Sequence, residues 1–213
     1  MKRALLLAAA AMVAVGAFVG VFAVTRHTSS TNRIGEVAPS GPYRGSEPPA
    51  GIRIPDVTLP DYRGRLVGLR GLNGKITVLT FLDSKCTDSC PVIASLIGQT
   101  WPKLTAAEKQ QVAAHAISVN PHTDTPGSVR KFLAARRATG VLDWLVAPVK
   151  RMRPVWHAFG VLPSLDAGSD DIHSADVRVF DRRGIWVSTL HAGVDLTPAN
   201  LAHDIRLAMK RTS

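Results

Sequence analysis

The apolar run Ile76-Thr-Val-Leu-Thr-Phe-Leu82 is followed, within a few residues, by the only two cysteines of the chain, Cys86 and Cys90, and then at once by Pro91. A run of that length and composition predicts a buried strand. Proline suits the first turn of a helix, where its missing N–H is not needed. The segment is therefore expected to fold as strand, turn and helix, with both thiols near the helix start. At positions i and i+4 of a helical turn the two side chains share one face, about 5–6 Å apart at Cβ. Two thiolates so placed hold one soft metal, Cu(I) or Zn, or approach each other as a disulfide. The helix N-terminus is expected to favour the thiolate form. Two sulfur donors are too few for either metal, so a third ligand is sought elsewhere.

The N-terminus bears on the redox setting of the pair. After Met1-Lys2-Arg3, the stretch Ala4 to Val24 carries no charge. About 20 apolar residues span a bilayer as a helix. The stretch is long for a secretory signal and Phe22-Ala-Val-Thr25 is a poor cleavage site, so an uncleaved single transmembrane helix over 1–25 is preferred to a cleaved signal peptide. Lys2 and Arg3 before it nearly balance Arg26 and Arg33 after it. The body is placed on the extracytoplasmic face because an N-terminal anchor with a basic start usually exports the chain attached to it. Residues 26–50, rich in Ser, Thr, Gly and Pro, are expected to form a flexible tether. In an oxidising compartment two cysteines often form a structural disulfide. A disulfide closing so short a loop would constrain little of the unfolded chain. Metal or redox chemistry is the better use of this spacing.

Charge narrows the partners. Twenty-six Lys and Arg against 16 Asp and Glu give a formal net charge of +10. With no concentrated basic run and no aromatic–basic interleaving, the sequence argues against a nucleic-acid-binding protein. A solvated basic surface is the plain reading, and an acidic protein partner or a lipid surface the functional ones.

One domain is expected over 51–213. Asp56–Leu59 and Leu66–Leu69 read as a hairpin around Asp61-Tyr-Arg-Gly-Arg65. A helix from about Cys90 should break at Pro102, and Thr105-Ala-Ala-Glu108 resembles a capping box opening another. His115–Val119 reads as the next strand. Helices are expected from Thr125-Pro126, over Pro148–Phe159 with Met152, Val155, Trp156 and Phe159 on one face, and from Thr197-Pro198 to about Met209. Val161–Ile172 reads as a loop. Asp176–Phe180 and Ile185–Leu190 form a second hairpin across Asp181-Arg-Arg-Gly184. Strands alternating with helices predict an α/β fold, a central mixed sheet covered on both faces. A cysteine-bearing turn after the first core strand, with a β-hairpin and helix at the end, resembles the thioredoxin fold.

Seven histidines are candidates for a third ligand. His27 lies in the tether, and His115, His157 and His203 read as packed or surface residues. His122 follows a strand end, His191 ends the last strand, and His173 closes the long loop before Asp176. Loop residues of this kind are suited to complete a site begun by the cysteines.

The motifs resemble those of the Sco/SenC family. Cys86-Thr-Asp-Ser-Cys90-Pro91 is similar to its C-x-x-x-C-P site. Ile117-Ser-Val-Asn-Pro-His-Thr-Asp-Thr-Pro126 is similar to its strand-end segment, which usually reads Ser-Val-Asp-Pro followed by Asp-Thr-Pro. Ile172-His173-Ser174, with Val177-Arg-Val-Phe-Asp181 and Gly184, resembles its His-Ser segment. The resemblance covers about residues 43–210. It implies a thioredoxin-like domain outside the cytoplasmic membrane that binds copper, as Cu(I) and also Cu(II), through Cys86, Cys90 and His173. It further implies a role in building the binuclear copper centre of cytochrome c oxidase, whose copper-bearing subunit would be the partner. Asp88 falls where the family commonly has an acidic residue and is expected to dock a partner or support the ligands, not to ligate. Thr87 stands where Pro is common, Ser89 replaces a more apolar residue, and Asn120 stands where Asp is usual. The last change removes a negative charge expected near the site.

Two further chemistries fit the pair. A thiol–disulfide oxidoreductase acting on exported proteins would use one cysteine to attack and the other to resolve. It would not need His173. A peroxiredoxin-like peroxidase would need a Thr or Ser three residues before its cysteine, which Thr87 supplies for Cys90 and Asp83 fails to supply for Cys86. A carrier that only passes a metal on breaks no bond and is not an enzyme in the usual sense.

Overall fold

The computed structural model describes residues 41–69, 74–167 and 176–211. The expected anchor over 1–25, the first part of the expected tether and His173 lie outside the described residues. Among the described residues no helix is long and apolar enough to cross a membrane.

The strands are β1 (Thr58–Pro60), β2 (Leu66–Gly68), β3 (Ile76–Leu82), β4 (Val112–Ser118), β5 (Leu142–Leu145), β6 (Asp176–Phe180) and β7 (Trp186–His191). The helices are α1 (Ser89–Thr100), α2 (Ala106–Gln110), α3 (Pro126–Ala135), α4 (Val149–Phe159), α5 (Ser164–Ala167) and α6 (Pro198–Lys210), with a 3-10 turn at Trp101–Lys103. β1 and β2 pair as a separate antiparallel hairpin, while the main sheet runs β5-β4-β3-β6-β7. β3, β4 and β5 are parallel; β6 is antiparallel to β3, and β7 antiparallel to β6. The fold class expected from the sequence, a mixed sheet with an N-terminal hairpin, is the one observed.

β3 is central, and all seven of its residues are buried. Its alternating side chains therefore need an apolar layer on each face. On one face Ile76, Val78 and Leu82 pack with Ile93 and Ile97 of α1, Phe132 of α3 and Ile205 of α6. On the other, Leu79 and Phe81 pack with Met152, Trp156 and Phe159 of α4 and with Leu59 of the hairpin. Pro154 sits inside α4, and Gly160 ends that helix in the left-handed conformation at φ 63°. Thr105 and Glu108 form the reciprocal capping box expected of α2. Gly98 lets α1 approach the loop after α3: a Cβ there would lie 2.7 Å from the Arg137 carbonyl oxygen.

Three elements depart from the sequence reading. α5 (Ser164–Ala167) forms inside the stretch 161–172 that reads as a loop. β5 is not expected from the pattern. Its four residues carry Asp143, which accepts from Arg63 (2.7 Å) and Arg65 (3.3 Å) of the β1–β2 turn. A short edge strand broken by an acid gives no periodicity to read. The body also begins before Ile52. Tyr43 is buried, the Arg44 and Gly45 N–H groups donate to the buried Asp204 carboxylate at 2.8 and 3.0 Å, and Ser46 pairs with Thr189 of β7. Residues 43–46 thus belong to the domain, not to a tether ending at residue 50. Composition does not reveal this, because the strap is held by its backbone.

His115 of β4 is buried, as expected of a packed residue, yet neither ring nitrogen has a hydrogen-bond partner. Burial lowers its pKa below 6.5, opposed by Asp143, its register partner on β5. A histidine that is neutral in the fold contributes stability that is lost as pH falls through its ordinary value near 6.5. His115→Leu is therefore expected to stabilise the domain by about 1–2 kcal/mol at pH 7.5, since it removes unpaired polar atoms. Urea unfolding at pH 7.5 and 5.5 checks this. The gain should be larger at the lower pH, and an equal or smaller one contradicts the assignment.

Candidate metal and dithiol site

Parallel strands leave their carboxyl ends together, so β3 and β4 open into adjacent loops at one edge of the sheet. Asp83 to Asp88 joins β3 to α1, and Val119 to Thr125 joins β4 to α3. The site is built between these loops.

Cys86 lies in the first loop and Cys90 is the second residue of α1. Both are buried, and no disulfide joins them. The Cys86 N–H donates to the Asp83 carbonyl at 3.3 Å, which closes the turn. The Asp83 N–H donates to Cys90 Sγ at 3.5 Å. The hydrogen bond between the two thiols, together with burial, pushes the Cys90 thiol well above its ordinary value, although the Asp83 N–H acts in the opposite sense. This corrects the expectation that the helix N-terminus would favour the thiolate. The Cys86 contact first, and desolvation of the covered sulfur second, outweigh the partial charge at the helix end. Asp88 is exposed at the N-cap position and its side chain does not cap α1.

Two buried acids hold this loop. Asp83, 0% exposed, accepts from the Lys85 N–H (2.8 Å), Asn120 Nδ2 (3.0 Å) and Thr123 Oγ1 (3.1 Å). Asp124 accepts from the Ser84 N–H (2.8 Å), Ser118 Oγ (2.6 Å) and Trp144 Nε1 (3.1 Å). Ser84 Oγ adds a contact to Ser128 Oγ at 3.0 Å. The cysteine loop is thereby tied to the β4–α3 loop at several points. From the sequence, Asp83 stands out only as the residue three before Cys86, and Asp124 only as part of a motif. An acid directly after a wholly apolar strand is the available signal, because such a position is buried unless the chain turns outward. The loss of charge expected from Asn120 is also made good: Asn120 donates to a carboxylate that Asp83 supplies.

Of the other histidines, His122 is placed on the β4–α3 loop and His191 is exposed at the end of β7, where its N–H meets Asp195. His157 is exposed on α4, and His203 pairs with Asp204 at 2.9 Å. Among the described residues no three His, Cys, Asp or Glu side chains are grouped to hold a metal ion. The structure thus brings Cys86 and Cys90 together and does not bring His122 or His191 to them. The donor set among the described residues, two contacting buried sulfurs, suits a soft monovalent ion and not a hard one.

A family model described as SCO1/SenC matches residues 50–210. A protein named "Putative copper-binding protein" from Stutzerimonas stutzeri is 28% identical over 85 residues, 40% of this chain; the match spans 42% of that relative's length. ScoI from Bradyrhizobium japonicum, solved with copper bound, is 25% identical with a TM-score of 0.62, covering 74% of this chain and 100% of that one. Apo Sco1 from Thermus thermophilus is 20% identical with a TM-score of 0.65, covering 78% and 97%. The fold is thioredoxin-like.

Burial pushes the Asp124 carboxyl up to about 6 against the hydrogen bonds of Ser118 and Ser84, which lower it. A carboxyl raised in the fold contributes stability that is present below its ordinary value of 3.8 and is lost as pH rises through about 6. Asp124→Asn should abolish that decline between pH 4 and 6. At pH 7 it should cost about 1–3 kcal/mol, because its amide turns an acceptor into a donor facing donors. Urea unfolding across pH is the check; an unchanged slope would refute the assignment.

Proposed function

The chain belongs to the SCO1/SenC family, and on that premise we propose that it is a membrane-anchored, extracytoplasmic copper carrier. Cys86, Cys90 and His173 hold the copper cargo, which is passed to the copper-bearing subunit of cytochrome c oxidase or another copper or thiol protein. The observation that carries the reading is the pair of contacting, buried thiols at a strand–helix junction, with Pro91 behind them and the β4–α3 loop bracing the turn. Copper bound to the Bradyrhizobium japonicum relative supports the choice of metal.

Copper supplies no bond-breaking here; it is what is carried. The chain's residues do three things. The two thiols give up their protons as sulfur takes the metal, so uptake releases protons and strengthens as pH rises. The hydrogen bonds to Asp83 and Asp124 hold the cysteine turn, so little ordering is needed on loading. His173 belongs to the segment between α5 and β6, which the sequence marks as a loop. A ligand on a loop is the one best placed to leave first when an acceptor competes. Asp88, exposed beside the pair, meets the partner or supports the ligands.

Residues 1–25 act as the anchor and residues 26 to about 42 as the tether. The domain faces the extracytoplasmic side, where its positive surface meets an acidic partner. A thiol–disulfide exchange activity shares the same cysteines, and His173 separates the two roles.

Anaerobic Cu(I) titration of the purified chain is expected to give one copper per chain. Cys86→Ser and Cys90→Ser should each weaken binding at least a hundredfold. His173→Ala should weaken it about tenfold or more while leaving dithiol exchange with a small disulfide unchanged. Full copper affinity in His173→Ala would overturn the ligand set, and stoichiometric binding in either serine variant would overturn the dithiol site.

A further inference from the structure

Arg178 of β6 is buried, and it lines a cavity of about 310 Å³ on the sheet face away from α1. Folded interiors keep few voids larger than a water molecule, so an opening of this size is a ligand-sized cleft and not a packing fault. Phe159, Phe180 and Trp186 line it too, and they pack in the layer of Leu79 and Phe81, whereas Cys86 and Cys90 pack in the other layer. The Phe180 and Trp186 rings stack with centroids 6.2 Å apart. The Arg178 guanidinium carbon stands 4.5 Å from the Trp186 ring centroid and 4.9 Å from that of Phe81. Arg178 Nε donates to Asp176 at 3.0 Å and Nη1 donates to the Phe159 carbonyl at 2.7 Å. These contacts hold the guanidinium plane in place, so the wall it forms with the two rings is preorganised.

The charges around the cavity select its occupant. Asp176 matches the charge of Arg178 through an ion pair at 3.0 Å. Arg53 lines the same cavity, is exposed, donates to the Arg183 carbonyl at 3.1 Å and makes no ion pair among the described residues. Among the described residues no Asp or Glu lines the cavity. A flat apolar wall beside an unmatched guanidinium suits a planar apolar body that carries an anion. We propose that this cavity is a second binding site, one that takes a small aromatic carboxylate or sulfonate. The ring lies against Trp186 and Phe180, and the anionic group pairs with Arg53. The volume suits one free small molecule. Binding is reversible, with no bond made or broken. The site is separate from the dithiol and does not rest on the copper-carrier reading.

Naphthoate is the probe, and naphthamide is its uncharged counterpart. The full chain in a nonionic detergent is titrated with each while NMR follows the Trp186 indole N–H, which donates to the Ser188 carbonyl at 3.0 Å. Trp186→Phe identifies that resonance. Naphthoate should shift it saturably. Naphthamide should bind about fivefold more weakly, the size of effect that an exposed charge pair can reach. Arg53→Gln should weaken naphthoate by the same factor and leave naphthamide unchanged. Ala158 lines the cavity from an exposed position of α4, so Ala158→Phe places a ring in the opening without disturbing the core, and it should abolish the shift. No saturable shift with naphthoate overturns the site. Equal affinity for the two probes, or an Arg53→Gln chain that binds naphthoate as well as the unaltered chain, overturns the assignment of an anion. Undiminished binding in Ala158→Phe puts the probe elsewhere on the molecule and also overturns the inference.

Discussion

The junction between the cysteine turn and the β4–α3 loop depends on two buried carboxylates. Asp83 gathers the Lys85 N–H, Asn120 and Thr123, and Asp124 gathers the Ser84 N–H, Ser118 and Trp144. Burying a carboxylate is costly unless donors surround it. Here the donors come from both loops, so meeting that demand forces the loops together. The thiols lie on the braced side of this junction. Their placement follows from the polar network at least as much as from the apolar packing of α1.

The sheet makes the junction available. β3 and β4 run parallel in register from Ile76↔Val112 to Leu82↔Ser118, so their carboxyl ends open at the same level. Apolar layers on both faces fix β3, and α1 lies against one of them through Ile93 and Ile97. Cys90 is therefore covered from the helix side and the sheet side at once. The hydrogen bond with Cys86, and after it this burial, push its thiol above its ordinary value despite its place at a helix start.

The elements legible in the sequence are those whose burial is one-sided or complete over many residues. β3, α3, α4 and α6 carry the expected periodicity, and Thr105, Thr125 and Thr197 cap helices as their motifs announce. β5 escapes because four residues that include an acid have no period. The strap at 43–46 escapes because backbone N–H groups, which every sequence has, make its contacts with Asp204. At the site, the cysteine pair and its strand–helix setting are legible. The bracing by Asp83 and Asp124 is not, since single acids in loops are normally solvated and only the three-dimensional meeting of two loops buries them. The upward push on the Cys90 thiol is hidden for the same reason: it turns on the Cys86 contact and on burial, which no local pattern reports.

X-ray absorption at the copper edge of the Cu(I)-loaded chain tests the central claim most directly. The account predicts a first shell of two sulfurs near 2.3 Å and one nitrogen near 2.0 Å, distances of about the size soft-metal thiolate and imidazole bonds have, with one sulfur lost in Cys90→Ser and the nitrogen lost in His173→Ala. A shell of nitrogen and oxygen alone, or one that keeps both sulfurs in Cys90→Ser, would contradict it.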